Sequence, residues 1–230
     1  MPLKSDLYAL CVHGIGQDTP ANFADQAMKQ LAAGLQPLGV TLYAKSVHWS
    51  PLVDGPQKAL KRTLKRMGSS GRVAQSLAVR TLSDALSYPQ YQEQINYLID
   101  YEVSRLRAPS ETLIFAHSLG VVLATDYLKS RTGVKARMVS FGTNLNLFHV
   151  GDMANWQCPA QLQGRDSWLN MYSKYDALGY PLRGWLPHVR DAEVTVGGVF
   201  TWWNGASHMA FWDDKYLWRE TVPTLLDNYF

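Results

Sequence analysis

The sequence predicts an α/β protein: a mostly parallel central sheet of about six strands with helices on both faces. Three observations lead there. Short apolar runs recur along the 230 residues, each too brief to be a helix. Between them lie segments whose apolar residues return at helical spacing. At Ala116-His117-Ser118-Leu119-Gly120 an apolar run passes into a helical pattern through a turn with small residues two positions either side of a serine. No internal repeat or low-complexity linker interrupts the alternation, so residues 1–230 read as a single domain.

The elements follow in order. Residues 7–12 (LYALCV) form the first strand, ended by His13-Gly14-Ile15-Gly16. Phe23, Ala27, Leu31 and Leu35 are spaced by four and give an amphipathic helix over 22–35. Residues 40–47 are the second strand. A segment of different character comes next. Lys58, Lys61, Arg62, Lys65 and Arg66 surround Leu60, Leu64 and Met67, and residues 57–80 contain no acidic residue. It predicts a basic helical insertion at about 52–88: a solvated face, a lid, or a weak contact with an anionic membrane surface. Ile95, Leu98, Ile99 and Val103 place a helix over 91–106, stopped before Pro109. The third strand is 112–116 and its helix 119–129. Residues 136–141, 169–173 and 192–196 complete the strands. A helix over 214–229 ends the pattern, with Pro223 either kinking it or setting its start.

Composition bounds the function. The chain is 47% hydrophobic and 18% charged, enough apolar material for a sizeable core. A net charge of +3 is too small to argue for nucleic acid. The opening residues carry only a short apolar run, so neither a secretory segment nor a membrane span is expected, and the expected location is cytoplasmic. Two cysteines, Cys11 and Cys158, make no disulfide framework and read as reduced thiols. The six histidines show no HExxH or paired spacing, so no metal and no cofactor are expected.

The serine turn carries the chemistry. Ala-x-Ser-x-Gly between strand and helix is the geometry of a nucleophile elbow, which lifts the Ser118 hydroxyl clear of the sheet. The adjacent helix N-terminus favours developing negative charge, and the Leu119 amide is the first oxyanion donor. With VHGIG at 12–16 and AHSLG at 116–120, the chain resembles the α/β-hydrolases, specifically small bacterial lipases and related serine esterases. It departs from many of them at Val121, where they carry a second glycine. The resemblance covers nearly the whole chain and implies an α/β-hydrolase fold. It also assigns the second oxyanion donor to the Ile15 amide.

The order Ser…Asp…His then places the acid after a later strand and the base before the last helix. Asp176 and His208 meet those conditions. Asp152 is the best rival acid, and Asp166, Asp191 and Glu193 are others. His188 stands too close to Asp176, and His48 and His149 precede the acid. His117 reads as a packed or pocket-wall residue and His13 as a brace for its loop. Of eight tryptophans, Trp49, Trp185, Trp202 and Trp203 are candidate walls for an apolar acyl chain, although tryptophans also simply fill cores. The expected activity is hydrolysis of small-molecule carboxylic esters, lipid or other acyl esters, through an acyl-enzyme. A thioesterase or amidase on the same site, or an inactive lipid- or partner-binding module, are the alternatives.

Overall fold

The computed structural model describes residues 6–14, 20–53, 55, 74–106, 111–145, 156–198 and 206–229, with the side chains of 74–87 and 229 left aside. Among the described residues six strands form one sheet: β1 (Asp6–Val12), β2 (Thr41–Val47), β3 (Thr112–His117), β4 (Ala136–Phe141), β5 (Trp168–Tyr172) and β6 (Arg190–Glu193). Their spatial order is β2-β1-β3-β4-β5-β6. Every pairing is parallel. The helices around the sheet include α1 (Asp25–Leu35), α2 (Ala74–Leu106), α3 (Leu119–Ser130), the single turn α4 (Ala206–Met209) and α5 (Val222–Tyr229). This is the expected α/β architecture.

Parallel strands need crossovers, and crossovers put helices on the sheet faces. The strand side chains accordingly divide by alternation. Leu10, Val12, Ile114, Ala116 and Met138 join one core with Ile95 and Ile99 of α2 and Val122 and Leu123 of α3. Ala9, Cys11, Leu113, Phe115, Val139 and Phe141 join the other with Leu31 and Leu35 of α1 and Trp218 and Leu226 near the C-terminus. β3 lies mid-sheet and is buried along its whole length.

Three boundaries differ from expectation. The helix expected to begin at 91 begins at Ala74 and carries Pro89 inside it. An interior proline costs about 3 kcal/mol in an isolated helix. Here packing offsets it: Tyr88, beside the proline, is buried and its hydroxyl donates to Asp126 Oδ2 of α3 at 2.9 Å. Much of the expected insertion at 52–88 therefore belongs to α2, while residues 56–73, with their five central cations, lie outside the described residues. The sixth strand is Arg190–Glu193 rather than 192–196, because its ladder with β5 starts at Leu169↔Arg190 and ends at Tyr172↔Glu193. The buried pair Val194 and Val196 follows the ladder and still packs below it. The last helix contains a π turn over Leu217–Thr221 before α5. Pro223 stands two residues into α5, and the widened turn lets a proline follow without breaking the helix.

Candidate active site

The C-terminal ends of β1, β3, β4 and β5 open onto the same edge of the sheet, where ligands of parallel α/β sheets bind. Ser118 sits between β3 and α3 with φ 54° and ψ −123°, and is the one non-glycine residue with positive φ among the described residues. Such a conformation is strained for a residue with a Cβ and persists only where the surroundings impose it. Two close approaches do so. A Cβ at Gly120 would lie 2.4 Å from the Val12 carbonyl oxygen and 2.7 Å from that of His13. A Cβ at Gly14 would lie 2.5 Å from Ser118 Cβ. The two glycines let the loop after β1 and the start of α3 meet at the serine.

Three side chains far apart in sequence, two from loops and one from α4, join in one chain. Ser118 Oγ and His208 Nε2 are 2.8 Å apart. His208 Nδ1 is 2.9 and 3.0 Å from the two Asp176 carboxylate oxygens. All three residues are buried. Burial alone would push the Asp176 pKa up, but the hydrogen bond and charge of His208, with the Leu178 amide, hold it below the ordinary carboxylate value. Asp176 is therefore an ionised acceptor at neutral pH. Its acceptance assigns the proton to His208 Nδ1, leaving Nε2 to accept from the Ser118 hydroxyl. The carboxylate is closely seated, since a Cβ at Gly179 would meet Asp176 Oδ2 at 2.4 Å.

Among the described residues, several of the rival groups are otherwise engaged. Asp191 accepts from the Leu182 and Arg183 amides at 2.9 and 2.8 Å and from Asn170 Nδ2 at 2.7 Å. Its carboxylate thereby fastens the β5–β6 connection that carries Asp176. Asp166 pairs with Arg190, and Glu193 is exposed. Asp152 and His149 lie outside the described residues. His188 Nε2 contacts Cys158 Sγ at 3.2 Å. Burial raises the Cys158 thiol to about 12 and lowers the His188 pKa, so at neutral pH this pair is a thiol beside a neutral imidazole. His48 bonds Ser50.

His117 supports the site from behind. It is buried, and its Nε2 lies 2.8 Å from the backbone carbonyl of His208, which can only accept. Burial first, and the neighbouring His208 second, lower its pKa to about 3. A neutral His117 thus holds the backbone at His208 without adding charge. His13 stacks on Trp49 with ring centroids 4.9 Å apart and meets Phe23 edge-on, bracing the loop after β1.

The oxyanion candidates divide. Leu119 is the first residue of α3, where an amide has no intrahelical acceptor. The Ser118 amide is already committed to the Phe141 carbonyl at 3.1 Å. Ile15 lies outside the described residues, although Gly14 before it touches Ser118. Trp49 needs correction. It is wholly buried beneath His13, donating Nε1–H to the His13 carbonyl at 3.2 Å, and so takes a core position rather than the mouth of the site. Trp185 packs against Trp156 at 5.1 Å on the core of the α2–α3 face. Trp202 and Trp203 lie outside the described residues.

One polar group at the serine escapes sequence reasoning. Asn144 Nδ2 lies 3.3 Å from Ser118 Oγ. The available signal was the polar Thr143-Asn144 pair, one glycine beyond a strand, the position where parallel sheets place functional groups. Among the described residues no cluster of histidine, cysteine and carboxylate side chains could hold a metal, and no helix is long and apolar enough to cross a membrane.

No protein-family model matches the chain, and a search of curated proteins finds no match. A solved structure from Xanthomonas campestris pv. campestris, a "putative hydrolase of the alpha/beta superfamily", is similar at 13% identity and a TM-score of 0.40, over 90% of this chain and 96% of that one. That likeness is too distant to assign the chain to a family.

Proposed function

We propose that the protein is a serine hydrolase of the α/β-hydrolase type, acting on carboxylic esters through an acyl-enzyme. The observation that carries this reading is the buried chain from Asp176 through His208 to Ser118 at a strained strand-to-helix turn. Ordinary helix capping accounts for neither the positive φ nor the His208 contact, and Ser118 makes no side-chain capping bond to α3.

In this mechanism Ser118 Oγ attacks the acyl carbon while its proton passes to His208 Nε2. The carbonyl electron pair moves onto oxygen, to which the Leu119 amide donates a hydrogen bond, with Ile15 as the proposed second donor. Asp176 stabilises the imidazolium and keeps its orientation. The tetrahedral intermediate collapses, the ester oxygen leaves with the proton from His208, and Ser118 remains acylated. Water then repeats the sequence, giving up a proton to His208 and releasing the acid. No external oxidant or cofactor is needed.

The test is labelling with a fluorophosphonate together with hydrolysis of p-nitrophenyl esters of increasing acyl length. Expected are one label on Ser118, loss of both label and turnover in Ser118→Ala, and turnover that varies with acyl length. A parent protein that neither labels nor turns over any ester overturns the reading and leaves the binding-module alternative. Labelling without ester turnover directs the assay to thioesters and amides.

A further inference from the structure

We propose that Asn144 is a positioning residue for the nucleophile, holding the Ser118 hydroxyl in the direction from which His208 removes its proton. The inference rests on Ser118 acting as proposed above. Asn144 stands three residues beyond β4, buried with 1% of its surface exposed. Its side chain is 3.3 Å from Ser118 Oγ.

The direction of that hydrogen bond follows from the rest of the chain. The Asp176 carboxylate only accepts, so His208 Nδ1 carries a proton and Nε2 accepts. Nε2 therefore takes the Ser118 O–H, at 2.8 Å. The serine oxygen has only lone pairs left, so Asn144 must present its Nδ2–H and not its carbonyl. Ser118 Oγ is then held at two points, donating to the base and accepting from the amide. As the proton leaves Oγ, negative charge grows there and the Asn144 bond strengthens, because a charged acceptor binds a donor more tightly.

The other end of the amide argues against a packing role. Asn144 Oδ1 is buried with no hydrogen-bond partner. An unmatched buried acceptor is unfavourable, and an apolar residue of similar size would avoid it. The backbone around it is firm: the Tyr180 amide donates to the Thr143 carbonyl at 3.3 Å, tying the loop after β4 to the loop that carries Asp176. The chain thus keeps a polar group at a position where packing alone prefers an apolar one, and its one bond goes to the serine.

The test uses the full chain, with the rate of fluorophosphonate labelling followed across pH and thermal melting followed in parallel. Asn144→Leu is expected to keep or raise Tm while labelling slows about tenfold, the value of one lost hydrogen bond. Asn144→Asp keeps the shape but places an acceptor anion near the imidazole. It is expected to slow labelling and to move the acid limb of its pH profile upward, since a nearby anion favours the protonated base. A parent protein that fails to label overturns the serine-hydrolase reading itself. A parent protein that labels, with variants matching it in rate and pH profile, overturns the role of Asn144 alone. So does a loss of labelling that only parallels a loss of Tm.

Discussion

At the scale of single residues, the buried Asp176 and the half-buried Asp191, both beside β5, have the same chemistry and different tasks. Asp176 faces an imidazole, whereas Asp191 faces two backbone amides and Asn170. Asp176→Asn should lower ester turnover by about 10³- to 10⁴-fold with Tm nearly unchanged, because the imidazole loses the anion that orients it. Asp191→Asn should do the reverse, lowering Tm and leaving turnover per folded molecule within a few-fold. If Asp152→Asn is the crippling change instead, the acid has been placed on the wrong loop. His117 gives a prediction for pH. Its folded pKa of about 3 lies below the ordinary 6.5, so the unfolded chain takes up the proton first. This contribution to stability is complete above pH 6.5 and is lost as pH falls toward 3. Between pH 7 and 5 the loss is about 2 kcal/mol. Urea midpoints at the two pH values should register it, and His117→Gln should flatten the difference.

At the scale of elements, the elbow depends on how closely β1, β3 and α3 approach. A methyl group at Gly120 would press on two backbone carbonyls of the chain leaving β1, and backbone cannot yield as a side chain can. Gly120→Ala should therefore cost about 1–3 kcal/mol by overpacking and displace the serine, reducing turnover more than the lost stability accounts for. Melting and a specific-activity assay on the folded fraction separate the two effects. Trp49 makes the opposite case: a residue that resembles a pocket wall and is a prop. Trp49→Ala should cost about 3–5 kcal/mol, as large buried aromatics do, rather than change acyl-length preference.

At the scale of the whole molecule, the site is assembled by the sheet. Ser118, Asn144 and Asp176 follow β3, β4 and β5, and His208 comes from α4, far along the chain. The basic segment is a separate matter of charge. Lys58, Lys61, Arg62, Lys65 and Arg66 have no acidic residue among them. We propose that they attract an anionic surface, each cation contributing about 1 kcal/mol at low salt. Co-sedimentation with anionic vesicles should be lost in high salt and after replacement of all five by Gln, while hydrolysis of a short soluble ester changes little. A parent protein that stays in solution at low salt rejects the membrane contact.

The sequence by itself determined the alternation of strands and helices, because apolar periodicity is local and both sheet faces must be covered. It also determined the serine turn, since the small residues that let strand and helix meet lie within two positions of Ser118. Order along the chain favoured Asp176 and His208 but left Asp152, Asp166, Asp191 and Glu193 as rival acids, since all of them lie between Ser118 and His208. Only the tertiary structure decided the remainder. Pro89 lies inside α2 because Tyr88 is anchored to Asp126, a partner 38 residues away. Trp49 is core rather than wall because the His13 loop folds over it. Asp191 is a fastener rather than a rival acid because three donors converge on it. Asn144 reaches Ser118 across 26 residues of chain. Periodicity and turn chemistry are written in neighbouring residues. The partner of a buried polar group is set by which strand ends the sheet brings side by side, and no local pattern encodes that.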